Sequence, residues 1–200
     1  MSAGYADVFP ANELRASGGE ICAHILENRR SNFPRQLWWD VRLEFEPVRY
    51  GEGDFSASLS CDSIRWAFRD WRSLVGATFE KDDPERGGWA GTFYTGEHNP
   101  AHSIRLRIDA RSLHRFRVSL ETSVDLPESD CFDRKHESRI VASAEIPYVG
   151  LYVVPGNLFP KPTTAADVHD VAAEFVDPCL YRAAEPWLGH AFIFRPRAGP

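Results

Sequence analysis

Residues 104–120, IRLRIDARSLHRFRVSL, govern how this chain folds. Ile104, Leu106 and Ile108 alternate with Arg105 and Arg107; Phe116, Val118 and Leu120 alternate with Arg115 and Arg117. A period of two places apolar side chains on one face and charged ones on the other, the pattern of half-buried strands. Two such runs with a short break between them form a hairpin. If Asp109 to Leu113 makes the turn, Arg105 stands across from Arg117 and Arg107 across from Arg115. Like charges directly opposed on a sheet are unfavourable. A compensating charge is therefore expected. It comes either from within, with Asp40, Glu44, Glu46 and Glu121 as candidates, or from outside, as an anionic ligand or an acidic partner.

The same period recurs on both sides of this hairpin. Upstream, Ile21, Ala23 and Ile25 alternate with Cys22, His24 and Leu26, and Asn28–Asn32 reads as a turn. Trp39, Val41, Leu43 and Phe45 then alternate with Asp40, Arg42, Glu44 and Glu46, a strand with a charged outer face. Gly51–Asp54 turns the chain, and Phe55, Ala57, Leu59 and Cys61 line a further strand. Strand-like segments also cover about 89–95, 139–146, 149–154 and 191–194, with polar loops at 80–88 and 127–137. Two stretches carry helical spacing instead. Ile64, Ala67, Phe68, Trp71, Leu74 and Val75 follow a possible Asp62 or Ser63 cap and end at Gly76. Val168, Val171, Ala172, Phe175 and Val176 follow Thr164–Asp167, which resembles a capping box with Asp in place of Glu. Runs of strands with two interspersed amphipathic helices predict an α+β fold with a largely antiparallel sheet. Residues 1–19 are expected to form a loosely ordered arm and residues 20–196 one α+β domain.

The 200 residues carry 29 acidic and 23 basic side chains, a net charge of −6, with 43% hydrophobic residues. An acidic balance argues against general nucleic-acid binding, which needs basic excess to displace counterions. Arginine makes up 20 of the 23 basic residues, a skew that genomic base composition explains as well as a binding surface does. Cys22, Cys61, Cys131 and Cys179 are scattered, with no C-x-x-C pair, so neither a zinc site nor a disulfide scaffold is expected. There is no basic-then-apolar start of the secretory kind and no apolar run long enough to span a bilayer. A cytoplasmic location with reduced thiols is the expectation.

The sequence offers few catalytic signals. His98 and His102 stand four apart, but Pro100 between them disfavours the helix that a shared metal ion would need. The stretch Cys131–Glu137, which contains His136, reads as a polar loop. No G-x-S-x-G elbow and no phosphate-binding loop occurs. No cofactor and no metal are expected. Trp38 precedes the acidic strand and is a candidate interface anchor if it faces outward.

The order of Trp38–Phe45, Gly53–Leu59, the helical stretch Ile64–Val75 and the strands to Val124 resembles small bacterial immunity proteins of the wall-associated toxin type. The resemblance covers about residues 37–124. It implies a non-catalytic cytoplasmic protein that neutralises a cognate toxin by direct binding, with no nucleic acid or membrane involved. Net negative charge suits a basic target such as a nuclease. On this reading Asp40, Glu44, Glu46, Trp38, Asp82, Asp83 and Glu85 make contact with the partner. Arg105, Arg107, Arg115 and Arg117 form a separate patch for an anion or an acidic partner. One alternative is a small-molecule-binding β-rich domain with a pocket lined by Trp89, Phe93 and Tyr152. A second is a metal-dependent hydrolase using His98, His102 or His136.

Overall fold

Alternation of inward apolar and outward polar side chains carries nearly the whole molecule, and 60% of it is strand. The computed structural model describes residues 9–50, 53–81, 91–128 and 131–197. Its strands are β1 (Ala16–Asn28), β2 (Phe33–Phe45), β3 (Val48–Tyr50), β4 (Gly53–Phe55), β5 (Ser58–Ile64), β6 (Thr78–Lys81), β7 (Gly91–Tyr94), β8 (His98–Ser112), β9 (Arg115–Glu128), β10 (Cys131–Val153), β11 (Glu185–Trp187) and β12 (Ala191–Phe194). Among the described residues one α-helix, α1 (Ala165–Ala173), joins them. Strands β1-β2-β5-β7-β8-β9-β10 pair in that order, and β10 returns to β1, closing a seven-stranded barrel. The neighbouring pairs are antiparallel, but the closing pair, β1 with β10, is parallel. β6 pairs with β8 off this circuit, β12 and β11 extend from β10, and β3 and β4 form a separate hairpin.

This architecture corrects the α+β expectation: the fold is mostly β, with one helix where two were predicted. The stretch expected as the first helix supplies the end of β5, an irregular segment, and a short 3₁₀ turn at Trp71–Leu74. Its apolar residues have helical spacing, but their backbone carbonyls are claimed from elsewhere in the molecule. Trp39 Nε1 donates to the Trp66 carbonyl at 3.2 Å, and the Asp177 N–H donates to the Arg69 carbonyl at 3.3 Å. Asp70 accepts from the Arg72 N–H at 2.8 Å, so its side chain caps a local turn rather than leaving the backbone to an α-helix. The second helix forms as its capping box predicts. Thr164 Oγ1 accepts from Asp167 N, and the Asp167 carboxylate accepts from the Thr163 and Thr164 N–H groups. Those bonds hold the Asp167 carboxyl down to about 2. The stretch 127–137, expected as a polar loop, is mostly strand: β9 runs to Glu128 and β10 starts at Cys131. The two strand segments expected over 139–154 are one strand.

A narrow barrel leaves an interior wide enough only for side chains. Large rings fill it. Trp39 lies beside Tyr148 (centroids 5.7 Å apart) and Trp66 (6.3 Å), and Trp71 stacks on Tyr148 at 5.5 Å. The hydroxyls of Tyr148 and Tyr181, both buried, hydrogen-bond to each other at 3.0 Å. Farther along β2, Phe45 and Phe93 pack together with Phe9. Residues 1–8 of the expected arm lie outside the described residues; Phe9 and Leu14 are buried, and β1 begins at Ala16. No helix among the described residues is long and apolar enough to cross a membrane.

A glycine stands at the seam where the barrel closes. The β1–β10 register slips where Ile21 faces Tyr148 and Cys22 faces Gly150. Gly150 has φ +140°, and a Cβ there would lie 2.4 Å from the Phe194 carbonyl oxygen. Gly150→Ala is therefore expected to destabilise the protein by at least about 2 kcal/mol, the scale of backbone strain, with the clash added to it. Urea denaturation monitored by tryptophan fluorescence measures this.

Candidate functional site

With the interior filled, chemistry is left to the outer surface. Ile21, Ala23 and Ile25 of β1 point inward, so Glu20, Cys22 and His24 point outward. On β2 their cross-strand partners are Arg42, Asp40 and Trp38. Asp40 stands where the ladder to β5 slips: Trp39 pairs with Ile64 and Val41 with Cys61, so Asp62 and Ser63 share the space opposite Asp40. Such a bulge frees a backbone N–H and redirects side chains. Ser63 takes φ +58°, and its N–H donates to Asp40 Oδ1 at 2.7 Å. The other carboxylate oxygen lies 3.0 Å from His24 Nδ1 and 3.9 Å from Cys22 Sγ.

The bulge also brings Asp62 under the influence of Asp40. Partial desolvation first, and the Asp40 charge second, push the Asp62 carboxyl above the usual carboxylate range; His24 and Arg42 offset this only in part. Arg42 itself leans toward Glu44, at 3.6 Å. The outcome is a cluster of Glu20, Asp40 and Asp62 on one face of the barrel with more negative than positive charge. Cys22, His24 and Asp40 have the residue types of a nucleophilic triad but the wrong electrostatics for one. Burial, then Asp40, Glu20 and Asp62, raise the Cys22 thiol, whereas a reactive cysteine needs its thiolate stabilised.

Of the residues singled out in the sequence, Asp40 and Glu44 both belong to this outer face. Glu46 follows the end of β2, and its N–H donates to the Arg15 carbonyl. Trp38 is 4% exposed: its ring stacks on Phe33 at 5.1 Å and lies under the Arg65 guanidinium at 4.8 Å. It is therefore no surface anchor. Asp82, Asp83, Glu85 and Trp89 lie outside the described residues. Phe93 is in the barrel core and Tyr152 packs outside against Trp187, so they line no common pocket. Sequence reasoning passed over Glu20 and assigned Asp62 to a helix cap. The alternation of Glu20, Cys22 and His24 with Ile21, Ala23 and Ile25 is a signal that would have placed Glu20.

The arginine hairpin forms in a different register. The turn is Leu113–His114, so Arg105 faces Glu121, Arg107 faces Ser119 and Arg115 faces Ser112. No two of its four arginines stand opposite each other. Arg107 pairs with Asp109 at 2.5 Å, Arg115 with Glu145 at 3.1 Å, and Arg139 of β10 with Glu121 at 2.7 Å. Carboxylates of the chain itself thus lie against much of this patch. His98 packs against Tyr94, and His102 approaches Asp125 at 3.5 Å. Both are on β8, where four residues span about 13 Å, too far to share one ion. His136 is exposed on β10. Among the described residues no group of three or more metal-ligating side chains converges.

In comparisons with known proteins, the chain matches no protein-family model, no curated protein and no solved structure.

The Asp62 carboxyl binds its proton more tightly in the folded than in the unfolded chain, so its contribution to stability falls as pH rises through the carboxylate range. Asp62→Asn is expected to stabilise the protein at pH 7 by about 0.5 kcal/mol, the scale of a surface charge pair. The gain should vanish below about pH 4, where the carboxyl is protonated in both states. Asp40→Ala should instead cost about 0.5–1.5 kcal/mol, the net worth of the hydrogen bond from the exposed Ser63 N–H. Thermal unfolding across pH checks both.

Proposed function

We propose that this chain is a non-catalytic binding protein that docks onto a basic protein surface, most concretely an immunity protein that neutralises a cognate toxin. The observation that carries the reading is the bulge that holds Asp62 beside Asp40, with Glu20 nearby on the same face. Natural proteins tolerate such unfavourable like-charge proximity where function needs it. A lysine or arginine from a partner would relieve it. The net charge of −6 supports the same polarity, because it speeds encounter with a positively charged target. Trp39, Tyr148, Phe93 and Phe116 fill the barrel, which supports a reading with contact on the outside over one with an enclosed ligand. The family resemblance contributes less than the sequence alone promised, since one of its parts, the helix over Ile64–Val75, does not form.

The product of an adjacent gene is the natural first partner to test, by co-purification and calorimetry. A one-to-one complex is expected, weakening as salt screens the charges. Asp62→Asn should lower its affinity about tenfold while making the free protein more stable. Absence of a complex, or a complex indifferent to both salt and Asp62→Asn, overturns the proposal.

A further inference from the structure

The acidic face carries one group whose charge changes near neutral pH. His24 Nδ1 lies 3.0 Å from Asp40 Oδ2, and with side chains 24% and 26% exposed both groups meet water. Asp40 Oδ1 is committed to the Ser63 N–H at 2.7 Å, which fixes the carboxylate against the bulge and leaves Oδ2 to the imidazole. Imidazole is the side chain that ordinarily gains its charge between about pH 8 and pH 5. Its surroundings supply fixed charges and groups that stay neutral over that interval. On β1, Glu20 is an acid and Cys22 a thiol pushed up by burial and by Asp40. On β2, Arg42 leans toward Glu44 at 3.6 Å, and Trp38, the cross-strand partner of His24, is covered by Arg65 at 4.8 Å. On β10, Tyr152 stands opposite His24, its hydroxyl pushed up by partial burial and by Cys22. Beyond β10, Arg195 of β12 is paired with Glu185 at 3.6 Å. From β5, Asp62 feels His24 directly: a positive imidazole acts to hold that carboxyl ionised.

We infer that His24 is a proton switch on the docking face: a proton gained there offsets one carboxylate charge and loosens the hold on a basic partner. The inference rests on the docking reading above and adds its regulation. Neutral, the imidazole gives Asp40 a hydrogen bond at most, and the charges of Glu20, Asp40 and Asp62 are left for a cation from outside. Protonated, it becomes that cation, at ion-pair distance from Asp40, and competes with a partner's lysine or arginine for the same carboxylate. Proton and partner then oppose each other reciprocally: acid weakens the complex, and formation of the complex expels the proton. A similar pair, His102 with Asp125 at 3.5 Å, lies on β8 and β9 outside this cluster and serves as the control.

Hexalysine is the probe, its binding to the full chain measured by calorimetry at pH 8 and at pH 6, above the ordinary carboxylate range. The parent's affinity should fall about fivefold over that interval, the upper worth of one exposed charge pair. His24→Gln keeps an N–H for Asp40 but takes no charge, so its affinity should fall by less than about twofold. His102→Gln should behave as the parent does. At an intermediate pH the parent should release protons on binding, seen as a heat that depends on the ionisation enthalpy of the buffer, and His24→Gln should lose that dependence. If hexalysine fails to bind at pH 8, or binds Asp62→Asn equally well, the docking reading falls and this inference with it. If it binds at pH 8 but the fall in affinity is the same in His24→Gln as in the parent, or is absent from both, the switch alone is overturned and the docking reading stands.

Discussion

The parallel ladder between β1 and β10 is the constraint on which the rest of the structure rests. It joins Ile21–Ile25 to Tyr148–Val153 and converts an open sheet into a cylinder. Closure removes the sheet edges that β1 and β10 would otherwise present there. It also fixes which side chains face in, because a slip of one residue would reverse every one of them. Tyr148 enters the interior beside Trp39 and Trp71, next to the register shift at Gly150. The aromatic interior, the outward direction of Cys22 and His24, and the outward charge on β2 all follow from that one seam.

Once the interior is packed, the outer face of β2 becomes the informative part of the molecule. Along it lie Gln36, Trp38, Asp40, Arg42 and Glu44, running from a region of unsatisfied donors to one of crowded carboxylates. Each end holds a polar group in a setting that costs stability: a buried amide without an acceptor at Gln36, and a carboxyl next to another at Asp62. By contrast, the arginines of β8 and β9, which looked the most provocative in the sequence, lie largely against carboxylates of the same sheet. Density of charge is thus a poorer guide to function here than incompleteness of pairing.

The strands were legible because one face of each is buried, and alternation over Trp39–Phe45 or Ile104–Ile108 has no competing explanation. The capping box at Thr164–Asp167 was legible because it is local. Barrel closure was not, since nothing within residues 21–25 records that residues 148–153 will lie beside them. The spurious helix at Ile64–Val75 arose because period alone cannot show that the Trp66 and Arg69 carbonyls are bonded to Trp39 and Asp177. The arginine register was hidden by the turn. Leu113 has φ +56°, a conformation usually given to glycine or asparagine, so the residue at the corner gave no sign of it. The acidic cluster was half visible: Asp40 showed in the alternation of β2, whereas Asp62 reaches it only through a bulge that one-residue patterns cannot express.

The seam has a kinetic side as well. Its two halves are far apart in the chain, so during synthesis β1 leaves the ribosome long before β10 exists to meet it. Until then β1 can zip only to β2, and its other edge stays open to chance partners. Structures that wait on distant strands fold slowly and are exposed to aggregation meanwhile. The outward Glu20 and His24 give that waiting strand one polar face, while its hydrogen-bonding edge stays open until β10 arrives.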